Sequence, residues 1–357
     1  MVMVLGVDVH KGSHTAVVVD EVGRKVGEKT VRATDAGRRQ LVRWARQVSA
    51  QRRWAVEDCR HLSGRLERAL LSAGEAVVRV PPKLMAGARA GGRTPGKSDP
   101  VDALAVARAA LREPDLPVAC HDGPSRVVKL LVDRREDLVA ERVRAQNRLR
   151  WHLHELDPSL DPPTRALDRQ AQLDRLTAWL AAYRTEQPAA AVLELVARLA
   201  ADIVADIRAL TARINALEKE ISVLVRRCAP VLLDLPGCGP LTAAKLLGET
   251  AGVGRFRTEA RFAMHAGVAP IPASSGKTNR HRLARGGNRQ LNTALHRIAV
   301  TQTRLDGLGR AYYQRRLTTG DTKMQALRAL KRRLARIVFN LLQHQQPALP
   351  DLHPAAA

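Results

Sequence analysis

The chain has 357 residues, 45% of them hydrophobic, so it can bury a sizeable core and is not disordered as a whole. Lys and Arg number 59 against 35 Asp and Glu; the resulting formal charge of +24 calls for a polyanionic partner, nucleic acid first. Aromatics at 3% argue against a base-stacking platform, and neither a membrane-length apolar run nor a secretion signal core is present.

In chain order, Val2–Val9, Thr15–Asp20 and Lys29–Arg32 read as strands, rich in Val and Thr and parted by turns at Gly12 and Gly23. A helix is predicted from Gly37 to Val48, with Leu41, Trp44 and Val48 on one face. The buried strand Trp54–Val56 ends in Glu57. A helix from Ser63 to Ser72 and the strand Ala76–Val80 follow, stopped at Pro81-Pro82. A loop rich in Gly and Arg, 87–96, leads to a helix over Pro100–Leu111. The order βββαβαβα is that of an RNase H-like fold, a mixed sheet with helices on both faces.

Beyond it, Arg126–Leu156 and Ala189–Arg227 are long, polar-striped and almost free of glycine. Ile207, Leu210, Ile214, Leu217, Ile221 and Leu224 recur at coiled-coil spacing. Pro158, Pro162 and Pro163 break the pair, and Trp179–Tyr183 falls in the link. Such a seam suits a hairpin within one chain or a dimerisation arm. From Pro230 the chain reads as helical throughout, with Gly-rich loops at 236–239, 252–254 and 286–287. Between Ala260 and Gln345 stand 17 Lys and Arg against two acids, Asp306 and Asp321, so this stretch carries +15 of the +24. So few carboxylates leave the region self-repelling unless phosphates neutralise it.

Three constellations could carry chemistry. Asp8 lies in an apolar strand, where an acid is costly without a cation or donor, and Glu57 ends another. Asp99 and Asp102 open a helix three residues apart, with Asp99 suited as N-cap and Pro100 as first helical residue. Each acid has a plain structural reading; together they suit two divalent cations clamping a phosphoryl transfer, and hard oxygen ligands favour Mg²⁺ or Mn²⁺. Second, Leu235-Pro236-Gly237-Cys238-Gly239-Pro240 opens a helix as a helix-hairpin-helix does, so that backbone N–H groups around Gly237 and Gly239 can hold a DNA phosphate. Third, Ser274-Ser275-Gly276-Lys277 runs into Arg280, Arg282, Arg285, Asn288 and Arg289. A serine beside guanidiniums can attack a phosphodiester; equally, the two serines can simply hydrogen-bond phosphate.

In this order the three constellations resemble one family, the insertion-sequence transposases of the IS one-ten type, from Gly6-Val7-Asp8 to about Leu342. The most specific pieces are Lys97-Ser98-Asp99-Pro100-Val101-Asp102-Ala103, Leu235-Pro236-Gly237-Cys238-Gly239-Pro240, and Ala266-Gly267-Val268-Ala269-Pro270 followed by Ser275-Gly276. Ser98 stands where the family commonly has Thr, and Asp58-Cys59-Arg60 where it has Ala-Thr-Gly, so Asp58 competes with Glu57; the doubled serine leaves Ser274 as a rival to Ser275.

The resemblance implies a RuvC-like domain with Asp8, Glu57, Asp99 and Asp102 as an acidic tetrad, and Ser275 as covalent nucleophile. It implies DNA partners (element ends and target), an element-encoded guide or bridge RNA, a homodimer or higher homo-oligomer with sites shared between protomers, and a cytoplasmic, nucleoid-associated setting. The expected organisation is a RuvC-like domain over 1–125, a helical coiled-coil region over 126–229, an all-α basic serine domain with a helix-hairpin-helix over 230–345, and a tail over 346–357.

Overall fold

The computed structural model describes residues 2–81, 84–85, 98–113, 116–119, 123–163, 165–186, 191–273, 281–282, 284 and 286–345. They fall into two compact units, 1–123 with 253–261, and 124–252 with 262–357.

The first unit is built on a five-stranded sheet of β1 (Met3–Val9), β2 (Ser13–Val19), β3 (Lys25–Arg32), β4 (Arg52–Glu57) and β5 (Val77–Val80), in the order β3-β2-β1-β4-β5. The pairs β1–β2 and β2–β3 are antiparallel, while β1–β4 and β4–β5 are parallel. This is the expected RNase H-like mixed sheet, with β1 at its centre. Helices α1 (Asp35–Val48) and α2 (Arg60–Ser72) cover one face through Leu41, Ala45, Leu66 and Leu70 against Leu5, Val7, Trp54 and Val56. Helix α3 (Asp99–Arg112) covers the other, its Ala103, Val106, Ala107 and Ala110 against Val4, Val17, Ala55 and Val78. Fourteen-residue α1 begins two residues before the predicted Gly37 because Thr34 caps it, its hydroxyl accepting the Gly37 N–H. Strand β3 begins four residues early. It is a sheet edge with Lys25 and Glu28 exposed or half-exposed, a pattern that a search for Val and Thr passes over.

The second unit is mainly helical. Helix α4 (Pro124–Leu156) and α6 (Ala191–Cys228), 33 and 38 residues long, pack antiparallel, with α5 (Gln170–Glu186) laid against them. The seam residues Ile207, Leu210 and Ile214 are buried against Leu138, Leu149 and Leu153 of the same chain, so the intrachain hairpin is the arrangement seen. Trp179 and Tyr183, read as part of a link, belong to α5 and stack on one another. After them come α7 (Pro240–Thr250), α8 (Glu259–His265), α9 (Arg289–Gln302), α10 (Leu308–Thr318) and α11 (Lys323–His344). The region from Pro230 is not helical throughout: β6 (Ile271–Pro272) and β7 (His281–Arg282) form a short antiparallel pair. Two residues per strand, one of them Pro, carry too little alternation to read in advance.

No helix among the described residues is long and apolar enough to cross a membrane.

Candidate active site

The geometry of the acidic site follows from the pleat. Side chains alternate along a strand, so Asp8 shares the face of Val4 and Gly6, and Glu57 shares that of Ala55. In the β1–β4 register Gly6 lies beside Ala55 and Val7 beside Val56, which sets Asp8 and Glu57 on the same face at the C-terminal ends of adjacent parallel strands. That face is the one α3 covers. A Cβ on Gly6 would lie 2.1 Å from the Ala103 carbonyl oxygen and 2.3 Å from the Ala107 nitrogen, so only glycine admits the helix backbone this close. Asp99 precedes Ala103 by four residues and shares its stripe, so this seating brings the first turn of α3 over the end of β1.

The contact is made through His10, which sequence reading did not single out. Its Nε2 lies 3.0 Å from Asp8 Oδ2 and 3.4 Å from Asp99 Oδ1. Asp8, His10 and Asp99 offer three ligand atoms within 4.8 Å of one another. His10 follows directly on the end of β1, two positions after Asp8; that spacing was the available signal.

Burial is the main influence on Asp8 and raises its carboxyl above the ordinary range; His10 opposes it, while the charges of Asp102 and Asp99 add to it. Asp102 is buried, 6% exposed. Glu57 is half-buried, and its charge is felt at Cys59, whose thiol is pushed up to about 11 by burial first and then by Glu57, Asp58 and Asp8. Asp58, the rival of Glu57, sends its backbone N–H to the Val80 carbonyl at 2.9 Å. Carboxylates crowded into a half-buried corner repel unless a cation neutralises them, and oxygen donors with one imidazole fit a hard or borderline divalent ion. Asp99 is not the N-cap. Ser98 takes that position, and Asp99 is the first helical residue with Pro100 following it.

The second predicted constellation lies before α7. Gly237 has φ +84°, and a Cβ there would lie 2.9 Å from Thr301 Cβ on α9, so this glycine serves both the turn and a close packing contact. Gln302 Nε2 donates to the Pro236 carbonyl at 2.8 Å and ties the same turn to α9. Gly239 is the N-cap of α7, with no side chain capping the helix start.

Of the third constellation, Ser274, Ser275, Lys277, Arg280 and Arg285 lie outside the described residues. Arg282 is exposed on β7, and Arg289 is exposed as the first residue of α9. Asn288 is committed twice: its Oδ1 caps α9 through the Gln290 and Leu291 N–H groups, and its Nδ2 donates to Glu249 Oε2 at 2.7 Å. Glu249 also takes the Lys129 ammonium at 2.6 Å. Burial alone would raise the Glu249 carboxyl, yet Lys129 and Asn288 together hold it below its ordinary range.

An RNase H-like sheet with acidic side chains at the ends of its central strands, in a chain with a strongly basic helical region, is the architecture of an enzyme acting on DNA. Residues 5–158 match a family model described as transposase, and residues 229–314 one described as transposase, IS116/IS110/IS902 family. The chain is 30% identical over 389 residues to the insertion element IS116 44.8 kDa protein of Streptomyces clavuligerus, covering 97% of this chain and 96% of that one. It is 32% identical over 295 residues to the insertion element IS110 43.6 kDa protein of Streptomyces coelicolor, covering 69% and 71%. Among solved structures, T. thermophilus RuvC in complex with Holliday junction substrate matches 33% of this chain and all of that chain, at 17% identity and a TM-score of 0.28. The chain belongs to the IS110/IS116 family of transposases, and its work is DNA transposition and recombination.

Proposed function

We propose that the chain cleaves and exchanges the ends of its own insertion sequence through a serine–DNA intermediate, with Asp8, Glu57, Asp99 and Asp102 as the metal-binding set. One observation carries the reading: α3 sits on Gly6, and Asp99 shares His10 with Asp8. Residues from strand and helix thus meet around one small volume. Bound there, a Mg²⁺ or Mn²⁺ ion supplies charge stabilisation to a phosphoryl oxygen.

The chain's own residues divide the remaining work. The Ser275 oxygen attacks phosphorus and forms a serine phosphodiester; the P–O bond to the departing deoxyribose breaks, and that oxygen leaves with the serine's proton. Arg280, Arg282, Arg285 and Arg289, with Lys277, stabilise the charge that builds on the phosphoryl oxygens. Backbone N–H groups at Gly237 and Gly239 hold a neighbouring phosphate. The family resemblance extends the proposal to an element-encoded guide RNA and to a homodimer or higher homo-oligomer, with acids and serine brought together from different protomers.

Incubating the protein with element-end DNA and Mg²⁺ and running denaturing gels tests this reading. A covalent protein–DNA band that disappears in Ser275→Ala and persists in Ser274→Ala is the expected result. Free cleavage products with no adduct would instead assign the chemistry to the carboxylates with water as nucleophile. Omitting the RNA should abolish end-specific cleavage.

A further inference from the structure

The second unit holds a cleft of about 740 Å³, lined by the Gly267–Pro270 backbone, by His281 and Arg282 of the β6–β7 pair, and by residues of α10 and α11. Its cations are Arg282, Arg316, Arg328, Lys331 and Arg332; the one carboxylate among the described lining residues is Asp321, and Arg316 pairs with it at 2.6 Å.

Lys331 is the unusual member. It is 8% exposed, yet among the described residues its ammonium has a single partner, the neutral Asn292 Oδ1 at 2.6 Å. A buried ammonium without a carboxylate is costly. Burial first, then the neighbouring Arg328, hold its proton affinity below that of an ordinary lysine. The same positive field depresses His296, again after burial.

Asn292 shows that this lysine is held in place. Its Nδ2 donates to the Gly267 carbonyl at 2.9 Å and the Ala266 carbonyl at 3.3 Å, so the Ala266–Pro270 motif, α9 and α11 meet at one amide. The crossing is tight: a Cβ on Gly287 would lie 2.2 Å from the Gly267 Cα. An unneutralised cation fixed in a cleft with further guanidiniums is the arrangement that seats an oxyanion.

We propose that Lys331, with Arg328 and Arg282, forms a seat for a DNA backbone phosphate beside the two strands that flank the serine segment, and that Asn292 is its positioning residue. This rests on the serine reading above for the identity of the strand, since β6 and β7 bracket residues 273–280 in sequence. The seat itself needs only a phosphodiester. Lys331 and Arg328 lie on α11, about fifty positions from the serine and outside the arginine cluster picked out from sequence, whereas Arg282, on β7, belongs to that cluster.

The test is the salt dependence of binding by the full-length protein to element-end duplex DNA, with single-stranded RNA of equal length as the second arm. Lys331→Met keeps the aliphatic stem and removes the charge. Affinity for DNA should fall roughly tenfold or more. The slope of log affinity against log salt should drop by about 0.9, one phosphate contact. The melting temperature should stay or rise, because the variant removes a buried unpaired charge. Arg328→Gln, at an exposed position that cannot unfold the domain, should lose a similar slope. An unchanged slope in both variants overturns the seat, as does a lower melting temperature for Lys331→Met with unaltered binding per folded molecule. Loss confined to the RNA arm overturns the assignment to DNA. Ser275→Ala separates the two proposals: it should bind with the wild-type slope and form no adduct. If wild-type protein forms no adduct while Lys331→Met still loses slope, the serine reading fails and the seat stands.

Discussion

The acidic corner of the sheet and the basic cleft of the helical unit are assembled in opposite ways. In the sheet, the groups that converge are fixed by short-range rules. Strand register sets Asp8 beside Glu57, a glycine sets the helix distance, and the first turn of α3 brings Asp99 and Asp102. In the cleft, the cation of greatest interest comes from a helix far along the chain and is aimed by a neutral amide from another. Acids must be gathered against their own repulsion, which demands rigid elements. Cations awaiting a polyanion need only a scaffold that keeps carboxylates away.

The sharpest way to break this contrast is to remove one oxygen ligand. Asp8→Asn or Asp102→Asn should lower strand cleavage on the order of 10³-fold, the loss of several kcal/mol of charge stabilisation, with circular dichroism unchanged. Wild-type activity in either variant, or in EDTA, would remove the acids from the chemistry.

A second expectation concerns the seating of α3. Gly6→Ala places a methyl 2.1 Å from the Ala103 carbonyl, and the helix must retreat. Overpacking of this kind costs about 1–3 kcal/mol. Cleavage should fall by more than stability alone accounts for, because Asp99 moves with the helix. The check is activity measured well below the melting temperature. Full cleavage by a folded Gly6→Ala protein would show that the helix distance is not what assembles the site.

Much of the sheet was legible because buried parallel strands are short apolar runs, and Val4–Val9 and Trp54–Val56 are such runs. Asp8 and Glu57 were legible as candidates for the related reason that an acid in or beside such a run stands out, and Asp99 and Asp102 because they open a helix three residues apart. His10 was not, since a histidine after a strand has many ordinary uses. Lys331 was hidden more deeply. In sequence it is one of four basic residues within 328–333, and only the tertiary packing of Asn292 distinguishes it from its solvated neighbours. The seam of α6 failed to reveal its partner because heptad spacing records that a surface is buried and not which chain buries it.

Within the helical unit the strongest test of stability is the Lys129–Glu249 pair. The Glu249 carboxyl is held below its ordinary value of 4.5, so its contribution is present above about that pH and lost as pH falls through the lower folded value. Lys129 is shifted up from 10.5, with burial opposing and Glu249 and Asp133 prevailing, so its contribution is present below that value and lost as pH rises through the higher folded one. Lys129→Met should therefore cost about 2–3 kcal/mol near neutral pH and flatten the acid limb of a plot of melting temperature against pH. An acid limb as steep as wild type would place the pH sensitivity elsewhere.

The smallest expected effect decides what Asn288 is for. Its sequence setting, between Gly286-Gly287 and Arg289, suggests a phosphate contact, but its amide already caps α9 and holds Glu249. The oxygen is taken by the cap and one N–H by Glu249, so a phosphate contact could use only the second N–H, beside a carboxylate that repels it. Asn288→Ala should cost about 1 kcal/mol from the cap, a few degrees of melting temperature, and Asn288→Ser should recover most of it because the hydroxyl can still accept the helix N–H groups. Neither change should alter the salt slope of DNA binding, whereas a lost phosphate contact would lower it by about 0.9. A slope that falls in both variants, with melting restored by Ser, would return Asn288 to the DNA-binding surface and make its capping a by-product of the free state.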